Sequence, residues 1–213
     1  MVKIVSFDLD GTLIKKSFAD YFWLELIPKH YSKKYGLTID EAKRIVIREY
    51  EAVGMDDIRW YIPEYWINLF RLNFNVEKEL NSIKHLAEPY PDAIEILESL
   101  YGRYDLVIAT NAHRKFIEVE IRVIGEKYFK HVFSCVSNYN LPRKTEEFYI
   151  NIARELNVEL NDIVHVGDDE KYDFIIPRRI GVKAYYLNRN CKESSQYIIK
   201  SLLELKNILI DNL

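Results

Sequence analysis

Cysteine is scarce in this chain, and its scarcity excludes two kinds of scaffold. Cys135 and Cys191 are the only two, and no CxxC spacing is present, so neither a zinc site nor a disulfide framework is expected. Cys135 falls in the apolar run His131-Val132-Phe133-Ser134-Cys135-Val136 and reads as a small buried hydrophobe. No stretch approaches the roughly 18 uninterrupted apolar residues of a membrane span. No basic-then-apolar signal region opens the sequence. A cytoplasmic location, away from membranes, is therefore the expectation. A basic excess is missing as well: 30 Lys and Arg face 33 Asp and Glu, a formal net charge of −3, so nucleic acid is not an expected partner. Glutamine occurs once, beside abundant Lys, Glu, Ile and Tyr. That composition leans towards thermophile usage and bears on no function. No internal repeat or low-complexity tract is visible.

What is present is ample apolar material, 48% of 213 residues. It suffices for one sizeable α/β domain or a core with a modest insert. Residues 2–7 read as a short buried strand. From Pro89-Tyr90-Pro91, a turn, strands and helices alternate. Asp92 with Glu95 reads as a capping box opening a helix to Leu100. Strand 104–109 follows, then a helix over 114–126 with Phe116, Ile117, Ile121 and Ile124 on one face. Strand 131–136, helix 145–156, strand 163–166, helix 170–180, strand 182–187 and a closing helix over 193–210 complete the pattern. This alternation predicts an α/β fold with a doubly wound, mostly parallel, Rossmann-like sheet.

Residues 15–88 break the rhythm, with helical periodicity and no convincing strand. Thr38 and Glu41 form a capping box ahead of Ala42, Ile45, Val46, Tyr50 and Val53 on one face. A second helical stretch runs from about Asp56 to Leu72. All three tryptophans, Trp23, Trp60 and Trp66, lie in this segment. The expectation is a small all-helical unit, residues 15–88, inserted into a core made of 1–14 and 89–213.

Four polar clusters lie at the ends of predicted strands or in the loops that follow. Asp8-Leu9-Asp10-Gly11-Thr12-Leu13 follows Ile4-Val5-Ser6-Phe7; Thr110-Asn111 follows the second strand; Arg143-Lys144 precedes the 145–156 helix; Gly167-Asp168-Asp169 follows 163–166, with Asp173 beyond. Each alone is commonplace. Asp, Asn and Gly suit turns, short motifs recur by chance, and a basic pair is usually a solvated one. In an open parallel sheet, however, ligands bind outside the carboxyl ends of the strands, where these clusters fall in order. Two carboxylates at one strand end are costly unless a cation sits beside them.

The set and its order resemble motifs one to four of the haloacid dehalogenase (HAD) superfamily, with a helical cap inserted after motif one. The resemblance covers essentially the whole chain, and over 15–88 it is topological only. It implies a Mg²⁺-dependent phosphomonoester hydrolase acting on a small phosphorylated metabolite through an aspartyl-phosphate. Asp8 would be the nucleophile and Asp10 the acid/base. Asp8, Asp168 and the backbone carbonyl of Asp10 would hold Mg²⁺. Thr110 and the Asn111 N–H, at a helix start, would bind phosphoryl oxygens, and Lys144 would offset the carboxylate repulsion. Asp173 would support the cation and metal. The chemistry is consistent: a carboxylate can take the phosphoryl group covalently, and phosphoryl transfer relies on positioning and charge stabilisation. Asp10 argues against a dehalogenase, which characteristically lacks the second Asp because a halide needs no proton. A phosphoryl mutase, or a catalytically idle binding protein on the same scaffold, stays open.

Motif three departs from the family's usual Lys-Pro, since Thr145 follows Lys144. Either Lys144 or Arg143 could carry the charge; Lys144 is favoured because a compact ammonium suits a crowded carboxylate site. Asp169 reads equally as a site residue or a helix cap. Lys15 and Lys16 read first as a solvated pair and second as attraction for an anionic substrate. His113 and Arg114 sit at the expected mouth of the site. The aromatic residues of 15–88 read first as packing. Nothing in the sequence fixes the substrate or the oligomeric state.

Overall fold

The computed structural model describes residues 2–209. Its centre is a six-stranded, all-parallel sheet in the order β3-β2-β1-β4-β5-β6. The strands are β1 (Ile4–Phe7), β2 (Asp105–Thr110), β3 (His131–Ser134), β4 (Ile163–Gly167), β5 (Lys183–Leu187) and β6 (Ile198–Ile199). β1 is buried along its whole length, as expected of a strand covered on both faces. It pairs with β2 on one side and β4 on the other, with Phe7 opposite both Ile108 and Val166. Strand order reverses direction between β1 and β4, which is where doubly wound sheets open their ligand crevice.

Helices cover the sheet: α6 (Pro91–Leu100), α7 (Arg114–Ile124), the short α8 (Cys135–Tyr139), α9 (Glu146–Leu156), α10 (Ile176–Arg179) and α11 (Glu204–Leu209). Between Ile14 and Pro89, the described elements are all helical: α1 (Ser17–Tyr21), a π turn (Phe22–Leu26), α2 (Ile27–Tyr35), α3 (Ile39–Val53), α4 (Pro63–Leu69) and α5 (Val76–Ser82), with short 3₁₀ turns at Ile58–Tyr61 and Lys84–Leu86. The Thr38–Glu41 capping box is present and reciprocal. The chain leaves and re-enters through two linkers that run side by side, Ile14 pairing antiparallel with Pro89. Lys15 N donates to Glu88 O at 2.9 Å and Tyr90 N to Leu13 O at 3.0 Å. One apolar cluster runs through both parts: Phe18 and Phe22 of the helical segment pack edge-on against Phe116 of α7.

Several expected elements differ. Asp92 is not an N-cap: Tyr90 holds that position and Pro91 opens α6, a proline preference at the first helical position. Asp92 instead accepts from Arg189 (2.8 Å), Ser201 and the Leu202 N–H. Arg189 in turn donates to Thr12 O at 2.8 Å, bracing the loop after β1. The expected helix over 56–72 is a 3₁₀ turn, Ile58–Tyr61, then α4 from Pro63; the proline starts a new helix and restrains Ile62 to extended backbone. The strand expected over 131–136 stops at Ser134, whose hydroxyl caps α8 by accepting from Ser137 N. The expected closing helix over 193–210 is mostly irregular. It yields β6 and only α11, and residue 210 lies outside the described residues.

Candidate active site

The loop after β1 turns sharply at Gly11, where φ is +85°. A Cβ there would lie 2.3 Å from Asp168 Oδ2 and 2.4 Å from Lys16 Cε, so only glycine permits both the turn and the close approach. This turn brings the carboxyl end of β1 against that of β4. Gly167 makes the matching concession, since a Cβ on it would meet the Asp173 carboxyl at 2.3 Å.

Asp8, Asp10, Thr110, Asn111, Lys144, Asp168 and Asp173 all line one cleft of about 240 Å³. Asp8 and Lys144 are almost wholly buried. Lys144 Nζ lies 2.6 Å from Asp8 Oδ1 and also contacts Asp173 Oδ1. Asp173 further accepts from His165 Nε2 (3.0 Å) and the Asp169 N–H (3.1 Å). Burial alone would raise its carboxyl, but Lys144 and His165 outweigh that and hold it down at about 2. Burial likewise opposes the Lys144 charge, and Asp173 and Asp8 overcome it, keeping the ammonium above the usual lysine range. The relay continues from His165 Nδ1 to Ser6 Oγ at 2.9 Å. Burial lowers the His165 pKa.

Asp8 behaves in the opposite sense. Burial, with the Asp173 and Asp168 carboxylates, pushes it up to about 8 against the pull of Lys144. Burial also raises Asp10, to about 6, against Glu120 and Lys16. A carboxyl poised near neutrality suits a group that must both give and take a proton. Glu120, on α7, is fully buried and its two oxygens find no ordinary donor among the described residues; the same holds for Asp10 Oδ1. The two carboxyls face each other, so a hydrogen bond between them needs a proton on one. Burial and the neighbouring Asp10 push Glu120 well above the carboxylate range, so Glu120 holds its proton the more tightly and Asp10 is the member of the pair that exchanges one.

Oxygen atoms of Asp8, Asp168 and Asp173 lie within 4.8 Å of one another. Such an all-oxygen donor set suits a hard divalent cation such as Mg²⁺. Asp173 already accepts from three donors, which leaves Asp8 and Asp168 the more available of the three. Lys16 Nζ sits 2.7 Å from Asp168 Oδ2, a cation placed where these carboxylates gather. Lys15 turns away to the exposed Glu88, so the two lysines read together in the sequence have separate fates.

The remaining candidates also separate. Arg143 lines the cleft, but its guanidinium lies over the Tyr172 ring at 4.8 Å and reaches Asp56 of the helical segment at 3.3 Å. Lys144 is the cation against Asp8. Asp169 caps the turn after β4, accepting from the Lys171 and Tyr172 N–H groups at 2.9 Å. Thr110 Oγ1 accepts from Ala112 N at 3.2 Å. Asn111 is not at a helix start, because α7 begins at Arg114 with His113 as its N-cap. Asn111 Oδ1 is buried without a partner among the described residues and borders the cleft. His113 lines the cleft too, whereas Arg114 pairs with Asn138 at 3.0 Å. Glu120 and His165 were not anticipated. Glu120 had a signal: it lies four residues after Phe116 and three after Ile117, on the apolar face of α7. His165 had none, being one residue inside an apolar strand.

With this geometry in view, the chain matches the haloacid dehalogenase-like hydrolase family over residues 2–181. It belongs to that family and is a hydrolase. It is similar to the GMP/IMP nucleotidase YrfG of Escherichia coli, 25% identical over 171 residues, covering 79% of this chain and 75% of that protein. A solved HAD phosphatase from Thermococcus onnurineus superposes with a TM-score of 0.84 at 28% identity, covering 98% of each chain. An L-2-haloacid dehalogenase from Xanthobacter autotrophicus shares the fold, with a TM-score of 0.64 at 15% identity over 98% of each chain. No helix among the described residues is long and apolar enough to cross a membrane.

Proposed function

We propose that this hydrolase is a Mg²⁺-dependent phosphomonoesterase that works through an aspartyl-phosphate on Asp8. The observation carrying the reading is the pair of carboxyls with unlike surroundings at the end of β1, Asp8 against Lys144 and Asp10 against Glu120. Asp8 Oδ attacks phosphorus and the P–O bond to the leaving group breaks. Asp10 gives its proton to the departing oxygen. Asp10, now ionised, then takes a proton from water as that water attacks the aspartyl-phosphate, which frees phosphate and restores both residues. Lys144 favours the ionised form of Asp8 needed for attack. Thr110 and Asn111 border the cleft where the phosphoryl oxygens would sit. Asp8, Asp168 and the Asp10 backbone carbonyl would hold Mg²⁺, which when bound supplies the positive charge that lets a carboxylate approach a phosphate dianion. Asp173 supports Lys144 from behind.

A dehalogenase has no step for Asp10 to perform, and a binding module needs neither a nucleophile nor its acid. The substrate is a small phosphorylated metabolite. The relative's action on GMP and IMP, together with Trp23, Trp60, Tyr61 and Phe116 in the cleft lining, favours a nucleoside monophosphate. The two unpaired cysteines suit a reducing cytoplasm. The test is hydrolysis of p-nitrophenyl phosphate with Mg²⁺ and with EDTA, by the unaltered chain and by Asp8→Asn. Mg²⁺-dependent turnover that Asp8→Asn reduces by at least about 10²-fold is the expected result. Equal turnover in EDTA, or an active Asp8→Asn chain, rules the mechanism out.

A further inference from the structure

A second cavity, of about 360 Å³, adjoins the carboxylate cleft. Asp20, Trp23, Met55 and Trp60 line both, so the two are compartments of one groove. The first contains Asp8 and the other phosphate-facing groups. The second contains none of them and is lined further by Leu24, Ile47, Tyr50 and Glu51. A leaving group attached to a phosphate at Asp8 therefore has a built space to extend into, past Trp23 and Trp60, which line both compartments.

The aromatic walls are fixed in place. Tyr50 is buried between them, its ring 6.0 Å from Trp23 and 5.8 Å from Trp60. Its hydroxyl donates to Trp23 O at 3.1 Å, and Trp66 Nε1 donates to Trp60 O at 3.1 Å. Trp23 also stacks on Phe116 at 18°. Held rings of this kind offer a flat ligand stacking surface at little ordering cost. The polar lining of the outer compartment is acidic, Asp20 and Glu51. Glu51 makes no ion pair among the described residues. A carboxylate only accepts hydrogen bonds. It would repel an acidic leaving group and favour a flat one that carries ring N–H donors.

We propose that the outer compartment is a base-binding subsite that takes the 6-oxopurine ring of a nucleoside 5′-monophosphate, stacked at Trp23 and Trp60, with Glu51 accepting from the N1–H of the base. The inference rests on the phosphomonoesterase reading for its catalytic consequence, but not for binding. Hypoxanthine and guanine present a donor at N1, whereas adenine presents a lone pair there, which a carboxylate disfavours. Discrimination built on an unsatisfied or repelled polar contact exceeds what apolar fit achieves. Ribose spans the step between the compartments, and ribose 5-phosphate alone would leave the outer one vacant.

The experiment compares kcat/KM for IMP, AMP and ribose 5-phosphate in the unaltered chain, Glu51→Gln and Trp60→Ala. IMP is expected to lead AMP and ribose 5-phosphate by at least tenfold. Glu51→Gln should collapse the IMP:AMP ratio towards one, because an amide can both donate and accept. Trp60→Ala should cut the IMP:ribose 5-phosphate ratio about tenfold to a hundredfold, the loss of one base–aromatic stack. Calorimetry with inosine and adenosine, which carry no phosphate, asks the same question of binding alone, and covers a Trp60→Ala chain that fails to fold. If phosphate esters are hydrolysed but IMP does no better than ribose 5-phosphate, or if Glu51→Gln keeps the IMP:AMP ratio, the subsite is wrong. If no ester is hydrolysed, the phosphomonoesterase reading falls. The subsite then stands if inosine binds and Glu51→Gln removes its preference over adenosine, and falls if inosine does not bind.

Discussion

Lys144 Nζ reaches Asp8 Oδ1 at 2.6 Å and touches Asp173 from the same position, so a single buried ammonium bridges two carboxyl groups and offsets the repulsion between them. Removing one member of such a buried group leaves uncompensated charge, at a cost of about 3–5 kcal/mol. Lys144→Met should therefore melt well below the unaltered chain and lose turnover. Arg143→Ala removes only a contact to the largely exposed Asp56 and stacking on Tyr172, and should shift melting little. Thermal melts of the two variants decide which residue is the motif-three cation. Equal destabilisation, or a larger one for Arg143→Ala, would reverse the assignment.

The raised Asp8 carboxyl gives a pH dependence with a definite sign. Unfolded Asp8 ionises near 3.8 and folded Asp8 at about 8. Its contribution is fully present below the unfolded value and is lost as pH rises through the folded one. His165, lowered from 6.5, works the other way but is neutral in both states above that pH. Between pH 6.5 and 8 the metal-free chain should thus lose about 2 kcal/mol through Asp8. Mg²⁺ binds the ionised form, so the Tm difference between Mg²⁺ and EDTA samples should widen by several degrees across that interval. In Asp8→Asn the difference should be small and flat. A constant difference in the unaltered chain removes Asp8 from the metal site.

The carboxylates of this site were legible because each follows an apolar run that ends at the same edge of the sheet. Asp8, Thr110 and Asp168 needed only strand identity and parallel order. Lys144 is favoured over Arg143 in the sequence by the shape of its charge alone; spacing does not decide, since the choice depends on which way the loop before α9 turns. Lys16 is exposed, as its first reading has it, but its pairing with Asp168 was not legible, because the Gly11 turn that brings the two together is a tertiary feature. Strand β6 was invisible: two residues, Ile198 and Ile199, sit in a segment whose apolar spacing also suits a helix. Glu120 was legible and overlooked, a charge on the buried stripe of α7.

That overlooked residue yields a prediction linked to Asp10. As general acid, Asp10 should matter most when the leaving group is poor. Asp10→Asn should slow an alkyl phosphate by about 10²–10⁴-fold and an activated aryl phosphate far less. Glu120→Gln keeps a neutral donor beside Asp10 and should stay within severalfold on both. Glu120→Leu removes a hydrogen bond to a charged group, about 1.5–3 kcal/mol, and should slow the alkyl phosphate by about tenfold or more. Matching losses on alkyl and aryl substrates for Asp10→Asn would take the proton-transfer role away from Asp10. A Glu120→Leu chain as active as the unaltered one would reduce Glu120 to packing.

The helical segment 15–88 is expected to move as a lid over the cleft. Its two linkers run side by side, joined by Lys15 N to Glu88 O and Tyr90 N to Leu13 O, a geometry that lets both bend together. Its remaining polar ties to the core, among the described residues, are few. Lys16 pairs with Asp168 at 2.7 Å, beside the first linker; Lys115 pairs with Glu64 at 2.6 Å and Glu77 at 3.3 Å; and Arg143 meets Asp56 at 3.3 Å. Exposed pairs of this kind contribute little each, so opening is not strongly opposed by them. The apolar contact of Phe18, Phe22 and Trp23 with Phe116 follows soon after the first linker in the chain, where a hinge motion displaces atoms least. Closing would exclude water and strengthen the site's electrostatics. Trp23 and Trp60 line the cleft and Trp66 is buried behind them, so all three report on the segment. Orthovanadate with Mg²⁺ should quench or shift tryptophan emission in a saturable titration, and should slow hydrogen exchange across 15–88. Lys115→Ala should weaken the closed state and raise the mimic concentration at half-saturation. If calorimetry shows the mimic bound while emission and exchange stay unchanged, the segment is a static wall and turnover proceeds without closure.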